Sequence, residues 1–208
     1  MCDQMHQTNA TLLFNIIKNR RSIRRYNNKP VPQELILRLL EAAMWAPSAH
    51  NRQPWRFAVL TQTTDKDRLA QAMGARLRVD RTADGDDPDD IERDVARSYA
   101  RLTGAPVIII IGTSLIDMDR YPDPQRSRNE WTMATQSTAM AAQNLLLLAH
   151  AEGLGACWVC APLFVPELVK EVLALPDDWE PQGLITLGYP AQERTKPREP
   201  VQSKVIFL

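Results

Sequence analysis

A chain of 208 residues is long enough for one well-cored domain and too short for two ordinary ones, so a single domain spanning residues 1–208 is expected. With 44% hydrophobic and 24% charged residues the composition is that of a folded globular protein. The 25 basic and 25 acidic residues balance to a formal net charge of zero, which argues against a general nucleic-acid binder and leaves room for a small local anion site. Three cysteines, Cys2, Cys157 and Cys160, do not make a paired disulfide framework and fit a reducing, cytoplasmic compartment.

In chain order, Leu12, Leu13, Ile16 and Ile17 share one side of a helix over residues 9–19, with Thr8 or Asn9 as its cap. It delivers Arg20 and Arg21 at its end. Between positions 18 and 29 stand Lys18, Arg20, Arg21, Arg24, Arg25 and Lys29 without an intervening acid, and Ser22 adds a hydroxyl. Guanidinium forks grip phosphate oxygens bidentately, so the run reads as an anion clamp. The alternative is that basic residues merely complement the negative end of the helix dipole.

A second helix opens at Val31 and Pro32, carries Leu35, Ile36, Leu39, Leu40, Ala43 and Met44 as a buried stripe, and stops at Pro47. The loop Pro47-Ser48-Ala49-His50-Asn51-Arg52-Gln53-Pro54, bounded by prolines and studded with amides, leads into a strand at residues 57–60. A short amphipathic helix is predicted over residues 65–73. Residues 76–95 hold a run of acids around Gly85 and Pro88; they read as a mobile excursion followed by a helix over 88–102, a solvated surface loop or a lid over a pocket. The segment Val107-Ile108-Ile109-Ile110-Ile111 is apolar on both faces, hence a central strand.

Tyr121-Pro122-Asp123-Pro124 breaks the chain again, and the longest helix is predicted over residues 128–151, where small residues such as Ala141 and Ala142 would let another helix approach closely. Gly153 and Gly155 end it. A short strand over 156–160, a helix over 165–175 introduced by Pro166, and a strand over 182–190 complete the pattern. The tail Val201 to Leu208 is too apolar for a free terminus, and residues 199–208 are expected to dock, on a second subunit.

Cys157 and Cys160 have C-x-x-C spacing, but a second pair and clustered histidines are missing, so zinc is disfavoured and both read as small buried residues. No P-loop, dinucleotide fingerprint, G-x-S-x-G motif or apolar run of membrane-spanning length occurs. A bound cofactor, rather than a side-chain nucleophile, is expected to carry the reactivity.

Four ordered motifs carry a resemblance: Arg-Arg-Ser-Ile-Arg-Arg-Tyr at 20–26, Ala-Pro-Ser-Ala-His-Asn-Arg-Gln-Pro-Trp-Arg-Phe at 46–57, Gly-Leu-Gly-Ala-Cys-Trp at 153–158, and Leu-Gly-Tyr-Pro with Lys-Pro-Arg at 187–198. In them the chain resembles the flavin-dependent nitroreductase family. The resemblance implies an α+β fold, a three-layer α/β/α sandwich on a mixed, mostly antiparallel sheet, and a domain-swapped homodimer with FMN at the subunit interface. Carried over by position, Arg20, Arg21, Ser22 and Arg24 would contact the phosphate and ribityl chain, with Lys196 and Arg198 closing on the same phosphate. Pro47, Ser48, Asn51 and Gln53 would lie in the loop that a partner lays against the flavin. Trp158, Val159, Cys160 and Ala161 would run beside the flavin N5, and Cys160-Ala161 departs from the glutamate-glycine pair of many relatives.

The runs at 120–123, 142–146, 151–155, 163–164 and 175–181 are also similar to the C-terminal reductase domain of the bifunctional enzyme that makes the deazaflavin coenzyme F-420. That likeness implies hydride transfer to the dehydro precursor of a deazaflavin. A broad-specificity NAD(P)H nitroreductase or quinone reductase and a non-catalytic flavin- or deazaflavin-binding module remain as alternatives, and the donor is expected to be a reduced nicotinamide or a reduced deazaflavin.

Overall fold

The computed structural model describes residues 2–208, with side chains from Thr8 onward; Cys2 and His6 fall outside the described side chains. Helix α1 runs over Cys2–Asn19 and extends beyond the residue 8–9 cap expected from sequence. It is followed by α2 (Gln33–Met44), β1 (Trp55–Leu60), α3 (Thr63–Ala83), α4 (Pro88–Thr103), β2 (Val107–Thr113), α5 (Pro124–Ala151), β3 (Gly155–Val159), α6 (Pro166–Leu173) and β4 (Glu180–Gly188).

The four strands pair in the order β1-β2-β4-β3, every ladder antiparallel. The expected parallel component is reduced to a single bridge, Ser22 with Ala156, on the β3 edge. Strand β2 is central and fully buried, as its unbroken apolar run requires. Its residues alternate between two cores: Val107, Ile109 and Ile111 face Ile36, Leu39, Leu145 and Ala149 of α2 and α5. Ile108 and Ile110 face Leu69, Met73, Leu102 and Val169 of α3, α4 and α6. Burying such a residue fully is worth about 1.5–3 kcal/mol each, so this double-sided strand is the main support of the three layers.

Residues 76–83 are not an excursion: α3 continues through them, turns at Asp84–Asp87 and returns as α4. Asp87 caps α4 by accepting from the amides of Asp89 and Asp90. Arg78 forks onto Glu92 at 2.6 and 2.9 Å, and Arg81 bridges Asp86 and Asp94 at 2.5 and 2.6 Å. Of the acidic run, Asp86, Glu92 and Asp94 are therefore partners of the α3 arginines in a helical hairpin. Helix α5 likewise starts earlier than expected, because Asp123 accepts from the Arg126 amide at 2.9 Å and Pro124 occupies the first turn.

Of the two cysteines, Cys157 is buried as expected, whereas Cys160 is exposed, with its sulfur 3.0 Å from the Trp158 indole nitrogen. Among the described residues no helix is long and apolar enough to cross a membrane, and no three His, Cys, Asp or Glu side chains are grouped to hold a metal.

Candidate anion clamp and ring-binding groove

The stretch that leaves α1 is drawn along the β3 edge. The Ile23 amide donates to the Ala156 carbonyl at 3.0 Å, and two residues beyond Arg24 the Tyr26 hydroxyl reaches the Ile23 and Thr186 carbonyls at 2.6 and 2.9 Å. The same stretch is stitched to the chain that leaves β4: the Asn27 amide donates to the Tyr189 carbonyl and the Ala191 amide to the Arg25 carbonyl, each at 3.0 Å. Residues 194–198, a few positions further on, are thereby brought over residues 21–24.

The result is a cavity of about 360 Å³ lined by Arg21, Ser22, Arg24, Arg194, Thr195, Lys196 and Arg198. Five of those seven side chains are cationic and none is acidic. None of the five joins an ion pair among the described residues. Arg21 spends one terminal nitrogen on the Lys18 and Arg20 carbonyls at 2.6 and 2.7 Å, which caps the C-terminus of α1, so the helix-end role weighed from the sequence is real for this residue. Its Nε is buried and has no partner. An unpaired buried guanidinium nitrogen beside uncompensated cations is the arrangement that an anion completes.

Electrostatics agree with the geometry. Burial, then Arg198 and Arg21, lower the pKa of Arg20 from its ordinary value. Burial and Arg24 do the same to Arg101 of α4, and burial, Arg20 and Arg21 lower that of His150 of α5. Repulsion among these groups is what a phosphate dianion would offset.

On the other side of Ser22 lies a groove of about 270 Å³ whose walls include Arg20, Ala139, Ala142, Gln143 and Trp158. Ser22 belongs to both cavities. Ala142 thus leaves room for this groove as well as packing in the core. The Trp158 ring packs closely against Gly183: a Cβ there would meet its Cζ2 and Cε2 at 2.7 and 2.8 Å.

Arg20, Arg21, Ser22, Arg24, Trp158, Lys196 and Arg198 are thus gathered at two adjoining cavities. Val159 and Ala161 instead pack towards α3 and α6, and neither they nor Cys160 line these walls. Pro47, Ser48, Asn51 and Gln53 do not line them either. Their loop is held elsewhere on the surface in a strained conformation, with φ of 49°, 55° and 51° at His50, Asn51 and Gln53. Ser48 Oγ accepts from the Gln53 amide at 3.0 Å, the Ala49 amide reaches Ser137 of α5 at 3.4 Å, and Arg52 pairs with Asp119 at 2.7 Å. Sequence reasoning missed Arg194, Thr195 and Gln143; Arg194 stands two positions before Lys196, so the basic spacing of that segment was the available signal.

Known proteins share this arrangement of chain. The sequence profile of the nitroreductase family matches residues 17–189. An NADH dehydrogenase of Thermus thermophilus is 33% identical over 84% of this chain and 84% of its own length. A Bacillus subtilis protein assigned as an NAD(P)H nitroreductase, YfhC, is 29% identical over 97% and 96% of the two chains. A crystal structure of a protein of Desulfovibrio desulfuricans assigned as a nitroreductase, in complex with FMN, superposes with a TM-score of 0.72 at 28% identity, covering 94% of this chain and 96% of that one.

Proposed function

The chain belongs to the nitroreductase family, and from that membership we propose that it is an FMN-dependent oxidoreductase that takes reducing equivalents from NADH or NADPH and delivers them to a small organic acceptor. The observation that carries this reading is the single cavity shared by Arg21, Ser22, Arg24, Lys196 and Arg198, two cationic segments far apart in sequence that converge without an acid between them.

The residues present fit FMN. Arg24, Lys196 and Arg198 would hold its phosphate together with Arg194, the unpartnered Arg21 Nε would donate to it, and Ser22 stands at the passage towards the groove of Trp158 and Gln143. FMN supplies a ring that accepts and returns hydride. The protein's part is to position that ring and to place donors around it, which is worth more than any side-chain acid or base in such a transfer. Cys160 and Ala161 bring no carboxylate to the segment that follows Trp158, so no carboxylate role is assigned there.

We take the working unit to be a cytoplasmic homodimer. Support comes from apolar surface left uncovered in one chain: Phe14 of α1 is 62% exposed, Trp45 82%, and Ile206 and Phe207 of the tail 83% and 92%. In such a dimer the loop of Pro47, Ser48, Asn51 and Gln53 would cover the groove of the other protomer, and the tail at 199–208 would dock on it. The second reading, reduction of a deazaflavin precursor or use of a reduced deazaflavin, rests on the residue runs at 120–123, 142–146 and 175–181; the nicotinamide-linked names of the relatives favour the first.

The test is anaerobic. Purified protein should be yellow, should bleach with NADH or NADPH and should recover its colour on adding a nitroaromatic or quinone. Bleaching only with a reduced deazaflavin would favour the second reading, and bound FMN that never turns over would mark a binding module.

A further inference from the structure

A separate cavity, of about 710 Å³, lies between the start of α5 and the ends of β2 and β4, and shares no wall residue with the clamp or the groove. Its volume falls in the range of small-molecule sites. Four of its side chains are acids, Asp119, Glu130, Asp178 and Glu180, against one base, Arg120. Two of the acids are already engaged: Asp119 with Arg52 at 2.7 Å, and Asp178 with the hydroxyl of buried Ser114 at 2.5 Å. Glu130 is different. It is 5% exposed, its carboxylate makes no hydrogen bond or ion pair among the described residues, and Oε2 is buried without a partner. Glu180, on the same cavity wall, has its pKa raised by burial against the opposing pull of Lys170, which itself pairs with Glu167 at 2.8 Å.

An isolated buried carboxylate is costly unless a counter-charge meets it. A metal ion would require several ligating side chains converging on a point, and the described residues offer no such group. A ligand carrying its own N–H donors needs only one or two carboxylates and a flat surface, and Trp131, half-buried on the same wall, offers an aromatic face.

We propose that this cavity binds a small organic cation, an amidinium or protonated amine on a flat apolar body, with Glu130 as its charge partner and Trp131 as its platform. The site does not depend on the FMN reading.

Calorimetric titration of the FMN-loaded protein with benzamidinium, benzamide and benzoate tests it. Benzamidinium should bind saturably, once per chain, while neutral benzamide and anionic benzoate give no saturable heat. Glu130→Gln should weaken benzamidinium at least about tenfold, the scale of one charge-assisted contact, with the FMN absorbance unchanged. Should Glu130→Gln fail to fold, Glu180→Gln and Trp131→Leu should each show the same loss. No saturable benzamidinium binding by the wild type, or equal affinity in the variants, overturns the proposal. Colourless protein that still binds benzamidinium would count against the FMN site alone.

Discussion

Ile23 occupies the space that a side chain on Gly155 would need. A Cβ at Gly155 would meet Ile23 Cγ2 at 2.7 Å and Cβ at 2.8 Å, and both neighbours belong to a buried, branched side chain with nowhere to swing. The glycine is what lets the basic segment lie flat on the sheet edge and carry Ser22 and Arg24 to the cavity. Gly155→Ala should therefore cost about 1–3 kcal/mol, as overpacking does, and lower the FMN content at the same time. A variant with lowered melting temperature and unchanged FMN affinity would uncouple this contact from the clamp.

Tyr26 pins the same segment from the other end. Its hydroxyl lies within 2.9 Å of the Ile23 and Thr186 carbonyls and 2.8 Å from the Thr186 hydroxyl, and burial holds its pKa well above the ordinary tyrosine value, so it remains a donor. Tyr26→Phe leaves those buried groups short of a partner, at a cost of about 1–3 kcal/mol. Thermal unfolding should fall by about 2–4 °C for each kcal/mol lost. An unshifted midpoint would mean that water replaces the phenol.

His150 reports on the charge of the clamp. Burial and the proximity of Arg20 and Arg21 lower its pKa, so in the apo protein it should titrate below the ordinary value of about 6.5. The sign follows: the folded chain resists protonation, so this contribution to stability is present above the unfolded pKa and is lost as pH falls through it towards the folded one. A phosphate dianion at the clamp offsets the arginines, so FMN should raise the His150 midpoint in an NMR titration. A midpoint unmoved or lowered by FMN would show that the phosphate binds elsewhere.

The uncovered apolar tail predicts an assembly effect. Deleting residues 201–208 removes Val201, Val205, Ile206, Phe207 and Leu208, all exposed in the single chain. Sedimentation should then show the dimer weakened or lost, and FMN content should fall with it. A truncated protein that stays dimeric and yellow would remove the tail from the interface.

Much of the fold was legible because burial imposes periodicity. β2 is apolar on both faces and α2 has its stripe, save for Met44, which is exposed, and both elements stand where the patterns put them. What failed did so for local reasons. Pro124 reads as a breaker, yet a proline in the first turn of a helix behind an Asp cap starts it, and α5 gains its residues there. Past Met73, α3 has a weak apolar signal because its outer half is held by Arg78 and Arg81 against α4, and such cross-helix pairing leaves no period to read. The convergence of residues 20–24 with 196–198 could be expected only from the family likeness. Its cause, the stitching of Arg25 and Asn27 to Ala191 and Tyr189, is long-range backbone pairing that neither segment announces.

FMN and riboflavin differ by one phosphate, so comparing their binding to the apo protein measures the contact proposed between the two basic segments. FMN should bind tighter by a few kcal/mol, on the scale of several charge-assisted contacts, and Arg24→Ala or Lys196→Ala should remove most of that advantage while leaving riboflavin unaffected. Equal affinity for the two flavins in the wild type would contradict the clamp.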